Sequence, residues 1–316
     1  MDHAAREEPT GGPPASKPAP GAPVPAELLR ERIERIWASS ERVPGSEDAE
    51  AVRAAVSLLD QGLARIAEPG PEGWRVNGWL QMAILLYFRL TESASSQAGP
   101  LRFRDKIPVK ADLEARQVRV VPPGTARFGS FLEPGVVLMP GYVNIGAYVG
   151  AGTMIDTWAT VGSGAQIGRD VHLSGGVGIG GVLEPPQAMP VIIEDGAFIG
   201  SRCVVVEGVR VGRRAVLGAG CILTASTPVV DVRGSEPVVT RGLIPGGCVA
   251  IPGTWPRRFP AGVYQTACVL VIGERGASTD AKTLLNEMLR EVSADPCAPA
   301  PSAAERPAAP GPAARV

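Results

Sequence analysis

Asp156, His172 and the run Gly175–Gly181 are where residue type and spacing admit chemistry in this 316-residue chain. His172 is one of only two histidines, the other being His3. A neutral imidazole could act as a general base or, as readily, as a hydrogen-bonded support for a surface loop. Two histidines cannot build a three-His zinc site within one subunit, so no metal site is expected. Asp156 stands in Met154-Ile-Asp-Thr-Trp-Ala-Thr-Val-Gly162. Its carboxylate could hold an ammonium group and accept its proton. The alternative is a turn-forming Asp bonded to its own corner. Gly175-Gly-Val-Gly-Ile-Gly-Gly181 looks like a phosphate loop, yet it has no Lys-Ser/Thr and opens no helix. Its glycines suit tight corners and the close approach of a ligand.

The element that must position these residues is a repeat of six. Every sixth residue from Phe131 is large and apolar: Val137, Val143, Val149, Ile155, Val161, Ile167, Leu173 and Ile179. The count resumes at Ile193, Ile199, Val205, Val211, Leu217 and Leu223, making fifteen in all. Four places after each comes a small or β-branched residue, such as Ala147, Thr153, Ala159 or Cys203. This is the hexapeptide pattern of a parallel β-helix, with one short strand and one corner per hexad and 18 residues per coil. Asp156 follows the inward Ile155, in a slot that is Gly in seven other hexads, so alternation points it outward. The step from Ile179 to Ile193 is not a multiple of six, which makes 180–192 a loop excursion on a rigid scaffold.

The flanks read differently. The expected organisation is a Pro/Ala/Gly tail (1–26), a helical domain (27–120), the β-helix (121–239), a β-rich cap with a helix near Asp280–Val292 (240–293), and a second tail (294–316). The helical domain rests on Val52, Val56, Leu59, Leu63 and Ile66, spaced by fours and threes, and on the apolar segment Trp79–Leu90. The two tails hold 13 of the 31 prolines, whereas 21 of the 39 glycines lie between 124 and 227. A net charge of −1 offers no general attraction to nucleic acid or to an anionic membrane. No apolar stretch approaches the ~20 residues of a membrane span. Five cysteines without CxxC spacing read as reduced thiols, and the expected location is the cytoplasm.

Longer motifs carry a family resemblance. Phe103-Arg-Asp-Lys-Ile-Pro-Val-Lys110, Arg119-Val-Val-Pro-Pro123, Val137-Leu-Met-Pro-Gly-Tyr-Val-Asn-Ile-Gly-Ala-Tyr148, Met154–Gly162 and His172–Pro185 strongly resemble the tetrahydrodipicolinate N-succinyltransferases, which are hexapeptide-repeat acyltransferases. The resemblance covers roughly residues 27–293. It implies a left-handed β-helix and a homotrimer with active sites between subunits. It also implies transfer of a succinyl group from succinyl-CoA, a co-substrate and not a resident cofactor, to the amino group of the ring-opened substrate in lysine and diaminopimelate synthesis. The family's substrate-contacting Arg and Asp match Arg119 and Asp156, with Asp156 the catalytic candidate.

Some positions depart from the family pattern. In Ile199-Gly-Ser-Arg-Cys-Val-Val-Val-Glu-Gly208 the family's active-site Glu is Val204, and Glu207 matches its other Glu. Ser226-Thr-Pro-Val-Val-Asp231 and Ile272-Gly-Glu-Arg275 also differ from the family's pattern. Arg213, Arg214, Arg257 and Arg258 are candidates for CoA phosphates or for a solvated basic face. Two functional alternatives follow from Val204: a paralogue that acylates a related amino acid, or a catalytically weak trimeric binding subunit.

Overall fold

A large aliphatic every sixth residue can be buried only if the chain turns through about a third of a circle per hexad, and the computed structural model does this. It describes residues 25–39, 46–185 and 188–276. Two-residue strands stack in parallel on three faces. The first face runs Arg119–Val120, Val137–Leu138, Met154–Ile155, His172–Leu173, Phe198–Ile199, Val216–Leu217 and on into Cys248–Phe259. The second runs from Thr125–Ala126 to Ile222–Leu223, and the third from Phe131–Leu132 to Leu243–Ile244. The fold is a left-handed parallel β-helix. Strands of its sheets begin at Arg119 and continue past 239, beyond the 121–239 span expected from the hexads.

Thirteen of the fifteen hexad residues, Val143 through Leu223, lie in one buried core with the small residues beside them. Phe131 and Val137 are the exceptions and correct the six-residue count. Phe131 pairs with Tyr148 and Val137 with Met154, only 17 residues on. The corner at Pro140-Gly141 is one residue short, and a Cβ on Gly141 would come within 2.6 Å of the Ala159 carbonyl oxygen. Leu132 and Leu138 therefore fill the interior. Phe131 lies outside, with the Arg116 guanidinium 4.9 Å from its ring centre and Tyr148 5.3 Å away.

Two segments leave the prism. Gln166 pairs with Ile192, eight residues beyond the 18-residue period, which accounts for the 180–192 excursion. Its base is tied down by Gln81, whose Nε2 donates to the carbonyls of Val182 and Ala188, both at 3.1 Å. The second departure forms the antiparallel pair Pro228–Asp231 and Val238–Arg241, which joins the long hairpin Cys248–Phe259/Gly262–Glu274.

Three helices, α1 (Ala26–Ala38), α2 (Ser46–Asp60) and α3 (Gly78–Leu90), form a second core with Ile33, Val52, Val56, Leu59, Ile66, Leu80 and Ile84. Ile145, from the corner between the second and third faces, inserts into that core and docks it on the prism. Leu63 departs from the helical expectation: α2 ends at Asp60 and Leu63 is 70% exposed. Two hairpins, Ala67–Gly70/Gly73–Val76 and Ala94–Ala98/Leu101–Asp105, interrupt the helical region. Among the described residues no helix is long and apolar enough to cross a membrane. Cys203, Cys221, Cys248 and Cys268 are buried free thiols. The expected helix near 280–292, the 294–316 tail, Cys297 and nearly all of the 1–26 tail lie outside the described residues.

Candidate active site

The helical region covers the corner between the second and third faces, and among the described residues it leaves the corner between the first and second uncovered. Asp156 begins that corner. Its N–H donates to the Leu173 carbonyl (2.9 Å), which holds its backbone in the ladder of the first face. The chain then turns through Trp158, which takes a left-handed conformation at φ 61° and donates its N–H to the Pro140 carbonyl. Trp158 is 63% exposed.

The two oxygens of Asp156 have different surroundings. Oδ1 accepts the Thr157 N–H at 2.6 Å and the Thr157 hydroxyl at 3.2 Å, so it belongs to the corner. Oδ2 stands 3.8 Å from His172 Nε2 on the next rung. His172 is 3% exposed and stacks flat on Phe198, with 5.1 Å between ring centres and 9° between planes. The imidazole is thus held by packing beside a carboxylate that retains one outward oxygen. His172 lies one coil beyond Met154. Counting coils along the sequence could have paired it with Asp156.

Arg119 is exposed at the base of the same face, in the outward row that continues through Val137 to Met154. Two strand spacings separate it from the Asp156 rung, about 10 Å along the axis. Val204 also faces outward, on the second face, between Gly178 and Ile222. Gly178 leaves open space beside it, since a Cβ there would meet nothing within 4 Å. Glu207 does not substitute for a carboxylate at 204: its Oε2 accepts the Ala225 N–H at 3.1 Å, on the next coil.

Gly175, Gly176, Gly180 and Gly181 serve corners, while Gly178 lies in a strand of the second face. A Cβ on Gly162 would sit 2.1 Å from the Gly181 nitrogen, so the two corners interlock at the foot of the 180–192 excursion. The arginines of the sequence reading separate into two groups. Arg213 is paired with Asp195 at 3.0 Å, on the far side of the prism from Asp156. Arg257 and Arg258 lie on the long hairpin, where with Arg241, Trp255 and Ser226 they line a cleft of about 520 Å³.

Comparison with known proteins agrees with this geometry. Residues 28–90 match the model of the tetrahydrodipicolinate N-succinyltransferase N-terminal region, and residues 190–225 match the hexapeptide repeat of succinyl-transferase. Relatives named 2,3,4,5-tetrahydropyridine-2,6-dicarboxylate N-succinyltransferase occur in Paraburkholderia phytofirmans, Paraburkholderia xenovorans and Burkholderia mallei. Each is 48% identical over 276 residues, spanning 84% of this chain and 99% of the relative. A β-helix of the right repeat, the matched helical region and near-full-length identity have one reading: the chain belongs to the 2,3,4,5-tetrahydropyridine-2,6-dicarboxylate N-succinyltransferase family.

Proposed function

We propose that this chain transfers the succinyl group of succinyl-CoA to the amino group of ring-opened tetrahydropyridine-dicarboxylate, in lysine and diaminopimelate synthesis. The observation that carries the reading is the Asp156 carboxylate, with one oxygen fixed by its corner and the other open beside His172. In this reading Oδ2 receives the substrate amine, desolvates and orients it, and accepts a proton as nitrogen attacks the thioester carbonyl. The N–C bond forms, the C–S bond breaks, and coenzyme A leaves as the thiol once that proton is returned. Backbone N–H groups of the corners hold the tetrahedral oxyanion. Arg119 takes a substrate carboxylate in a bidentate grip.

The basic cleft at Arg241, Arg257 and Arg258 suits the phosphates of the acyl donor, and no resident cofactor is needed. The enzyme works as a cytoplasmic homotrimer in which neighbouring prisms complete each site.

Val204 favours one second reading. It lies in an apolar strip with Ile222, which is 52% exposed, where the family pattern has a carboxylate. A paralogue acting on a related amino acid would use such a wall. The test is thiol release from succinyl-CoA with the ring-opened substrate, aminopimelate and other amino-dicarboxylates. Turnover fastest with the ring-opened substrate supports the first reading, and preference for another amino acid supports the second. Absence of thiol release with every acceptor would overturn both.

A further inference from the structure

A second cleft, of about 410 Å³, lies between the hairpin Ala67–Gly70/Gly73–Val76 and the third face, away from Asp156. Three carboxylates line it and all are committed. Glu133 accepts from the Tyr148 hydroxyl (2.5 Å), the Ala151 N–H (2.8 Å) and Arg169 (3.2 Å). Glu194 accepts from Arg210 Nε (2.7 Å), the Arg213 N–H (2.9 Å) and the Trp74 indole N–H (3.3 Å). Asp195 accepts from the Arg169 N–H (2.9 Å) and the Arg213 guanidinium (3.0 Å). Glu68, behind the cleft, is bound by Arg75 and Asn77.

Arg65 has no such carboxylate. Its guanidinium lies 3.7 Å from the centre of the Tyr148 ring and 5.7 Å from that of Trp74. Nε donates to Gln166 Oε1 at 2.9 Å, which fixes the plane of the group. NH1 and NH2 have no acceptor among the described residues. Burial lowers the pKa of this arginine, against the pull of Tyr148, Glu133, Glu68 and Asp195. The result is a partly desolvated cation with a planar pair of donors unspent, in a cleft whose other charges cancel.

We propose that this cleft binds a small organic monocarboxylate, its two oxygens on NH1 and NH2 of Arg65 and its apolar body against Trp74. A single excess positive charge matches one carboxylate, and the rigid fork matches its geometry. A dianion would meet three fixed carboxylates. The volume falls within the range of small-ligand pockets.

Isothermal titration of the full chain with acetate, propanoate, benzoate and inorganic phosphate, at constant ionic strength, tests this. Saturable binding of a carboxylate is expected, with benzoate tightest. Arg65→Gln should weaken it about tenfold or more, the scale of a charged hydrogen-bond pair, while thiol release from succinyl-CoA is unchanged. Trp74→Leu should weaken benzoate more than acetate. No saturable carboxylate binding, phosphate binding more tightly than every carboxylate, or an Arg65→Gln protein binding like wild type overturns the proposal. If Arg65→Gln does not fold, Arg65→Lys keeps the charge without the fork, and undiminished affinity in that variant overturns it equally.

Discussion

Asp156 Oδ2 and His172 Nε2 face each other at 3.8 Å across adjacent rungs, with the imidazole clamped flat on Phe198. The carboxylate is therefore held at one oxygen by Thr157, while the other faces the imidazole edge. In Asp156→Asn the amide oxygen can still accept from Thr157, so the corner survives while the base is lost. The expected result is a fall in kcat/KM of roughly 10²–10⁴ with an unchanged melting temperature. A rate within threefold of wild type would remove Asp156 from the chemistry.

His172→Phe keeps a flat ring over Phe198 and deletes both nitrogens. The expected outcome is a kcat about threefold lower, the scale of one modest polar contact of ~0.5 kcal/mol, with KM for succinyl-CoA unchanged. A purely structural His172 would leave kcat intact, and steady-state kinetics separate the two.

Val204→Glu has room to fit, because Gly178 offers open space beside it. Restoring the carboxylate should raise kcat/KM with the ring-opened substrate by about tenfold, the effect of one charged contact near the reacting centre. Thiol release at low substrate measures it. An unchanged or lower rate assigns the apolar wall to a different acceptor.

Tyr148 and Glu133 predict how stability responds to pH. Burial opposes ionisation of Glu133, but the Tyr148 hydroxyl, the Ala151 N–H and Arg169 outweigh it and hold the carboxyl below its usual range. Its contribution is therefore complete above the ordinary value of 4.5 and fades as pH falls through the lowered one. Burial and the bond to Glu133 push Tyr148 up to about 12, so its contribution is complete below 10 and fades as pH rises from there. Tyr148→Phe should cost about 1–2 kcal/mol at neutral pH, a deficit that shrinks in acid as Glu133 protonates and again above pH 10, where wild type itself loses the Tyr148 contribution. Thermal melts from pH 3 to 11 report it.

Gly162→Ala drives a Cβ into the Gly181 nitrogen. A loss of about 2 kcal/mol or more is expected from such overpacking against backbone. Urea unfolding reads the loss, and a wild-type midpoint would mean that the 180–192 excursion shifts to make room.

The six-residue pattern could be read from the sequence because each coil buries the same slot, and thirteen of its fifteen residues lie in the core. The outward position of Asp156 follows from the same periodicity. What escaped were contacts that depend on how the chain returns to itself. Arg65 meets Gln166 across 101 residues, and no local pattern marks either. Leu63 fits a helical spacing, yet α2 stops three residues before it. Val204 stands out only beside the family pattern, because valine at the start of a two-residue strand is otherwise unexceptional.

The short corner at Pro140-Gly141 acts as a change of reading frame in the fold. Counted strictly in sixes, Arg119 falls in the same series as Ile155, whose side chain is sealed inside the prism. Removing one residue between Leu138 and Val143 moves every earlier side chain to the opposite side of its strand. Arg119 then shares the outer row of Met154 instead, and its guanidinium meets solvent on the face that ends in Asp156. Inserting a single residue at that corner would return Arg119 to the interior series and carry a charge into the hydrocarbon core. A one-residue deletion in the scaffold is thus what brings the cation and the carboxylate to one surface.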